Sequence, residues 1–354
     1  MPIIKFKPYV KVFLKDNIII FNNPLYQKKR KTFELNEVGL LICNLISNQC
    51  SWSELKNKLE ETGSLKEGLE IIDSLLDYGY IDIKETQSIT SSMQTNIYQT
   101  YNRILPVWEM FKTNVSPLDI QNNLFNKKVG IIGCGTVGIN LAVKLALFGL
   151  RNFVLIDHDV VEESNLTRCP FLVRNDIGKA KVEVLKQLIE ERIDSKITIP
   201  NIDVYPLSYS EDELHLLPLD LDILLVAADD EKILTSIESF SKSNNVPLIY
   251  PGGYYGFDAT IFPLYLEGKN KKPTEINQFL RKVKEDSGIN LNLLRDDFVP
   301  SSIVQTADTI SNILSFEIIR YLVEGWSTHL ERGPLMYNLA NNTLINVDIP
   351  VPSL

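Results

Sequence analysis

KVGIIGCGTVG, residues 128–138, decides how this chain is read. An apolar strand runs directly into a G-x-G-x-x-G turn made by Gly133, Gly135 and Gly138. A helix follows, with Leu141, Leu145 and Phe148 on one face and Gly149 as its stop. The glycines permit a tight turn and let backbone N–H groups approach phosphates at the helix N-terminus. A second strand, Asn152–Ile156, ends in Asp157, 19 positions after Gly138, where a carboxylate can accept hydrogen bonds from a ribose. From Val129 onward the pattern is α/β. The fingerprint alone indicates a nucleotide or dinucleotide, with NAD as the default.

The segment after Asp157 turns the reading from NAD toward a triphosphate. It runs DHDVVEESNLTRCPF (157–171), and DIGKAKVEVLK (176–186) follows. A dehydrogenase usually enters a helix soon after the acidic residue. Here a polar run places Asn165 and Arg168 in a loop, and Lys181 comes at the start of the next helix. Two fixed cations near a phosphate-binding turn suit a triphosphate attacked at one phosphorus, because they stabilise the charge that develops there and on the leaving group.

Upstream, residues 1–86 form a small unit of different pattern. Tyr9–Leu14 and Ile18–Phe21 flank Asp16 and Asn17 and predict a β-hairpin. A third strand is expected at Thr32–Leu35, after the basic run Lys28–Lys31. Asn36 caps a helix carrying Val38, Leu41, Ile42 and Ile46. Ser51 or Ser53 caps a second helix, with Leu55 and Leu59 as its apolar positions. A third, from Leu65 to Tyr78, has Leu69, Ile72 and Leu76 as its stripe, and Tyr80–Ile83 closes the unit as a short strand. Residues 87–127 begin Ser/Thr/Gln/Asn-rich and read as a linker that becomes an N-terminal arm, and residues 128–354 are the α/β domain.

The whole-chain numbers exclude several classes. With 354 residues there is room for two domains. The net charge of −9 disfavours nucleic acid and anionic membranes as partners. The third helix of the first unit carries Glu67, Glu70, Asp73 and Asp77 against Lys66, so it would repel a phosphate backbone. Cys43, Cys50, Cys134 and Cys169 have neither zinc-ribbon nor disulfide-framework spacing, which fits a reducing cytoplasm. Lysines interrupt the apolar residues of the N-terminus, so no secretory signal is expected there, and no apolar run is long enough to span a membrane.

Two resemblances sharpen these readings. Asp157-x-Asp159, Ser164-Asn165-Leu166-x-Arg168 and Gly178-x-x-Lys181, on top of the glycine turn, resemble the ThiF/MoeB/HesA family of ATP-using adenylating enzymes, relatives of ubiquitin-activating enzymes, from about Tyr98 to Val347. FELNEVGLLICNL, WSELKNKLEE and EGLEIIDSLLDYGYI are similar to a PqqD-like peptide-recognition domain, over nearly all of residues 6–84. The fold implied is α/β: a Rossmann-like ThiF-type adenylating domain preceded by a small winged-helix (β3α3) peptide-recognition domain. The first resemblance implies phosphate or ribose roles for Gly133, Gly135, Gly138, Asp157, Asn165, Arg168 and Lys181. Asp159 is a metal ligand or a loop acid. Asp229, after the strand Ile223–Ala228, would hold Mg²⁺, and Arg103, in the arm, would reach the ATP of a partner copy in a homodimer. The second implies that Thr32, Phe33, Glu34 and Leu35 take a leader peptide by strand addition. The basic run 28–31 either attracts acidic leader residues or is a solvated loop.

The chain also departs from the adenylating family. Thr136 stands where many relatives have glycine, and Cys169 where glutamine is frequent. The paired zinc cysteines are absent, with Leu264–Lys272 in the place of the first pair, so no zinc is expected. No cysteine falls in the later loop of thioester-forming members, which favours direct use of an activated acyl group. The two domains together resemble maturases of ribosomally made antibiotic peptides, of the microcin C and pantocin A kinds. The expected activity is ATP-dependent activation of a precursor-peptide carboxylate as adenylate or acyl phosphate. The carboxylate expected is a Glu side chain, cyclised afterwards with loss of water and a carboxyl group, and PGGYYG (251–256) is expected to border the acyl pocket. The alternatives are adenylation of a peptide C-terminus, a non-catalytic leader-binding partner of a separate cyclodehydratase, and a nicotinamide oxidoreductase.

Overall fold

The computed structural model describes residues 2–23, 30–85, 92–111, 115–208, 214, 217–227, 233–286, 301–325 and 333–347. The chain divides into two compact units, Met1–Met110 and Phe111–Leu354. No described helix is long and apolar enough to cross a membrane.

In the first unit, β1 (Pro2–Phe6) precedes β2 (Lys11–Lys15), β3 (Ile18–Asn22) and β4 (Arg30–Glu34). The last three form an antiparallel sheet in the order β2-β3-β4. Asp16 takes a left-handed φ of 54° to turn the hairpin, a conformation Asp tolerates. The first hairpin strand begins later than Tyr9, because Val10 N–H closes a turn onto Lys7 O. Helices α1 (Glu37–Ser47), α2 (Trp52–Glu61) and α3 (Leu65–Asp77) follow, then β5 (Ile81–Glu85). Asn36 caps α1 by accepting from Gly39 N–H, and Ser51 makes a reciprocal capping box with Glu54 at α2.

The core of this unit is built from Ile19 and Phe21 of β3 against Ile42, Ile46, Leu55, Leu59 and Ile72. Phe21 stacks on Tyr80 at 4.1 Å between centroids. The buried face of α3 is Gly68, Ile72 and Leu75, rotated from the Leu69–Ile72–Leu76 stripe that sequence spacing suggests. Close approach to α2 causes the rotation: a Cβ on Gly68 would lie 2.6 Å from Leu59 Cδ1. Strand β5 pairs with β1, a strand with no local sequence signal because its partner lies at the other end of the unit. The polar segment 87–127 contains α4 (Ser92–Tyr101), α5 (Leu105–Trp108) and α6 (Pro117–Asn126), which bury Ile97, Tyr101, Leu105, Trp108, Leu118 and Leu124. The boundary between the two units falls inside that segment.

The second unit continues with β6 (Lys128–Ile132), α7 (Thr136–Phe148), β7 (Asn152–Ile156), α8 (Lys181–Glu190), β8 (Asn201–Tyr205), β9 (Ile223–Val226), α9 (Leu234–Asn244) and β10 (Leu248–Ile249). Its five-stranded sheet runs β10-β9-β6-β7-β8, with every pairing parallel. Strand β6 is central, and Val129, Ile131 and Ile132 are fully buried. The chain fills one side with β7 and β8, then crosses back to β9 and β10. The order therefore reverses beside β6, and the carboxyl ends of β6, β7 and β9 border a crevice where such sheets bind ligands. Register confirms that these ends are level, since Ile132 lies opposite both Ile156 and Val226.

The remaining elements are β11 (Gly253–Tyr255), β12 (Asp258–Ile261), α10 (Pro273–Asp286), α11 (Val304–Glu324), β13 (Leu335–Asn338) and β14 (Thr343–Asn346). The four strands form an antiparallel sheet in chain order. Helix α11 packs on α7, and Lys144 pairs with Asp308 between them.

Truncating Leu59, which is fully buried, is expected to cost about 2–5 kcal/mol. Ser51→Ala is expected to cost ~1 kcal/mol through loss of the cap. Urea unfolding monitored by circular dichroism checks both; equal losses would contradict the packing described.

Candidate functional site

The glycine turn sits at the carboxyl end of β6. Gly133 has φ +90°, which only glycine adopts easily, and its N–H donates to Ile156 O at 2.9 Å. Gly138 is required for closeness, because a Cβ there would sit 2.1 Å from Gly133 O. Gly135 differs. Its φ of −75° suits any residue, and a Cβ would meet nothing within 4 Å. Space is therefore open over the N-terminus of α7, where unpaired backbone N–H groups and the helix dipole favour an anion. Thr136 starts α7 without a positive φ, so the departure from glycine there carries no strain.

Asp157, only 3 % exposed, clasps this turn to the loop that follows. Its Oδ2 accepts from Cys134 N–H at 2.6 Å, and its Oδ1 accepts from Asp159 N–H at 2.8 Å. Asp159 passes the link on: its Oδ2 accepts from Lys181 Nζ at 2.7 Å, and its backbone O accepts from Lys181 N–H at 3.0 Å. Lys181 is the first residue of α8, and its side chain is only 12 % exposed. Hydrogen bonding to Lys181 holds the Asp159 carboxyl below the usual carboxylate range. His158 Nε2 lies 3.4 Å from Asp159 Oδ1. Among the described residues, Asp157, His158 and Asp159 form a group whose ligand atoms could share one metal ion. Two backbone amides already occupy the Asp157 carboxylate. An ionised carboxylate has about four acceptor positions, so a ribose hydroxyl can still be accommodated.

Asn165 and Arg168 lie in the next turn. Asn165 is buried, and its Oδ1 accepts from Glu162 N–H at 3.0 Å, so this side chain shapes the loop. Its backbone O accepts from the N–H groups of Arg168 and Cys169. Arg168 Nη1 donates to Ser302 Oγ at 3.3 Å, while its Nε is buried with no partner among the described residues. A buried guanidinium donor without an acceptor is costly, and an anionic acceptor would remove that cost. Ser302 carries no sequence signal, because it is distant in the chain and belongs to no motif. The cysteines offer no nucleophile. Burial pushes the Cys134 thiol well above its usual value and raises that of Cys169, whereas a reactive thiol needs the opposite shift.

The other expected residues fall elsewhere. Arg103 is exposed in the turn after α4, in the first unit. Asp229 lies outside the described residues. PGGYYG (251–256) supplies β11 and its turn, with Gly252 at φ +83° where a Cβ would meet Thr260 O at 2.2 Å, and Gly256 N–H bound to Ser301 O. In Leu264–Lys272, Tyr265 OH donates to Glu267, and Asn270 bridges Leu264 O and Leu266 N–H. Of the basic run, residues 28 and 29 lie outside the described residues, and Lys31 Nζ sits 3.6 Å from the centre of the Tyr78 ring.

Thr32, Phe33 and Glu34 belong to β4, the edge of its sheet, and Leu35 follows. Leu35 N–H donates to Asn17 O at 2.7 Å, and the register places Glu34 opposite Ile18. By antiparallel alternation, the N–H and C=O groups of Thr32 and Glu34 point to the free edge. Beside this edge a groove of about 550 Å³ opens toward α1 and α3.

The ThiF family model matches residues 101–352. The chain is 44 % identical over 82 residues to the NEDD8-activating enzyme E1 catalytic subunit of Dictyostelium discoideum, which covers 23 % of this chain and 18 % of that protein. It is 25 % identical over 150 residues to the SAMP-activating enzyme E1 of Haloferax volcanii, covering 42 % and 53 %. The chain thus spans about half or less of the length of these relatives. Escherichia coli MccB, solved with AMPCPP and MccA, superposes with a TM-score of 0.74 at 21 % identity over 99 % of this chain and 98 % of that one. PaaA superposes with a TM-score of 0.65 at 21 % identity over 84 % and 96 %.

Gly138→Ala is expected to destabilise by roughly 1–3 kcal/mol, and Gly135→Ala to leave stability within about 0.5 kcal/mol; paired thermal melts check the contrast. The Asp159–Lys181 link has a pH signature. A carboxyl whose folded pKa is depressed adds stability above its unfolded value of 3.8, and that stability disappears as pH falls through the lower folded value. Lys181→Met should therefore lower the melting temperature at pH 6 and flatten its fall below about pH 4. A mutant curve parallel to wild type would contradict the link.

Proposed function

The chain belongs to the ThiF family, and from that premise we propose that it is an ATP-dependent enzyme that activates a carboxylate of a ribosomally made precursor peptide. The observation that carries this reading is the open space over Gly135 beside a lysine held in place through Asp157 and Asp159. The unpartnered Nε of Arg168 supports it, because an anion is the acceptor such a donor lacks. An open helix N-terminus, a buried guanidinium and a fixed ammonium suit a triphosphate better than the two phosphates of NAD.

In this proposal the turn made by Gly133, Gly135 and Gly138 borders the phosphates, which face the N–H groups at the start of α7, Asp157 and Asp159 face the ribose side, and Asn165, Arg168 and Lys181 hold the charge that grows on the phosphates. Asp229, three residues after β9, is proposed to hold Mg²⁺. Arg103 is proposed to act on the site of a second copy in a homodimer. ATP supplies the leaving group that a bare carboxylate lacks. The peptide oxygen bonds to phosphorus, and either pyrophosphate or ADP departs. The edge of β4 from Thr32 to Leu35 is proposed to take the leader, so that the core segment reaches the site at high local concentration. The cytoplasm is the proposed location.

The finer reading is activation of Glu side chains within the precursor, followed by cyclisation with loss of water and a carboxyl group. A second reading, adenylation of the peptide's C-terminus, is favoured by the likeness to MccB along nearly the full length of both chains. Mass spectrometry of precursor incubated with ATP separates them: loss of water and carbon dioxide indicates the first, gain of AMP the second.

Precursor-dependent ATP consumption is expected from the purified chain. Arg168→Ala and Lys181→Ala are each expected to reduce it by about 10²–10³-fold. Gly135→Ala, with unchanged folding, should weaken ATP binding by placing a methyl group in the open space. Undiminished turnover in all three variants would refute the assignment.

A further inference from the structure

The groove beside β4 has a chemistry of its own. Phe33, Ile71, Leu75 and Tyr78 supply apolar walls, and Glu67 and Glu70 supply charge, with no lysine or arginine among the described lining residues. Glu67 Oε1 accepts from Asn36 Nδ2 at 2.6 Å, and Glu34 Oε1 from Asn17 Nδ2 at 2.9 Å. Glu70 makes no side-chain hydrogen bond or ion pair among the described residues. Glu67 and Glu70 thus bring two carboxylates of α3 to an apolar groove whose described lining residues include no cation, while the Glu34 side chain alternates to the other face of β4 from Phe33. Of the basic groups described nearby, Lys31 sits 3.6 Å from the centre of the Tyr78 ring, and Lys66 is not among the lining residues.

The placement is ordered along α3. Glu67 and Glu70 lie in its first half, Ile71 and Leu75 follow, and Tyr78 ends the row. A strand added to the free edge of β4 would present every second side chain to this row, about 6.6–6.8 Å apart, close to the 5.4 Å pitch of the helix. One groove-facing side chain would meet the carboxylates while its neighbour two positions away meets Ile71 and Leu75.

We infer that this groove selects an extended segment carrying Lys or Arg two residues from a large apolar residue, and that Glu67 and Glu70 are the residues that read the cation. The inference rests on the proposal that β4 takes the leader by strand addition, and it assigns that leader a basic rather than an acidic character. The groove disfavours an acidic segment by repulsion, since a further carboxylate would join those of Glu67 and Glu70.

Three fluorescein-labelled twelve-residue peptides test this on the full chain. They share an alternating Leu/Thr strand pattern and differ only in having Lys, Gln or Glu two residues from a central Leu. Anisotropy titrations at low salt are expected to rank Lys above Gln and Gln above Glu. Glu67→Gln and Glu70→Gln should each weaken the Lys peptide by about two- to fivefold and leave the Gln peptide unchanged. Glu60→Gln on α2, outside the groove, should have no effect. Hydrogen exchange should show the Thr32 and Glu34 amides protected by the Lys peptide. If all three peptides bind equally and protect those amides, charge selection is overturned while strand addition stands. If none protects them, the leader reading itself falls, and the inference with it.

Discussion

The carboxylate of Asp157 holds the candidate site together. It is buried at the end of β7 and bonded on one side to the glycine turn after β6 and on the other to the loop leading to Lys181. The glycine turn and the loop before Lys181 are thereby fixed relative to each other. A charged group this deep is tolerated because both oxygens accept hydrogen bonds. The arrangement depends on the level ends of β6, β7 and β9, which in turn depend on the parallel register of these buried strands.

The first unit serves a different physical purpose. Its sheet leaves β4 as an edge, and an edge beside an apolar groove invites another strand. Stability comes from a core of branched and aromatic side chains gathered by three short helices, which frees the edge from a structural role. In the proposed function, binding energy gathered at this edge brings a poor electrophile to the nucleotide, so that selection of the precursor and activation of its carboxylate use separate surfaces.

Much of this was legible in the residues. The G-x-G-x-x-G turn, the strand ending in Asp157 and the helix opening at Lys181 each have a local signature, and the structure places them as expected. The caps at Asn36 and Ser51 were readable because capping depends on immediate neighbours. Contacts distant in sequence were hidden. Strand β1 is defined by pairing with β5, Ser302 meets Arg168 from far along the chain, and α4 hides its buried Ile97 and Tyr101 in a polar composition. The role of Asp157 also changed in emphasis. Spacing suggested a ribose partner, but its two oxygens first secure backbone amides, a duty that only three-dimensional closeness reveals. The apolar face of α3 turned by one residue because Gly68 lets α2 come closer than periodicity alone anticipates.

Calorimetric titration of Mg-ATP and of NADH into the purified chain, repeated with Asp157→Asn, tests the central claim most directly. The account predicts saturable ATP binding, no NADH binding, and loss of ATP affinity in the variant, since a carboxamide cannot accept both backbone hydrogen bonds. Tight NADH binding, or ATP binding indifferent to the substitution, would contradict it.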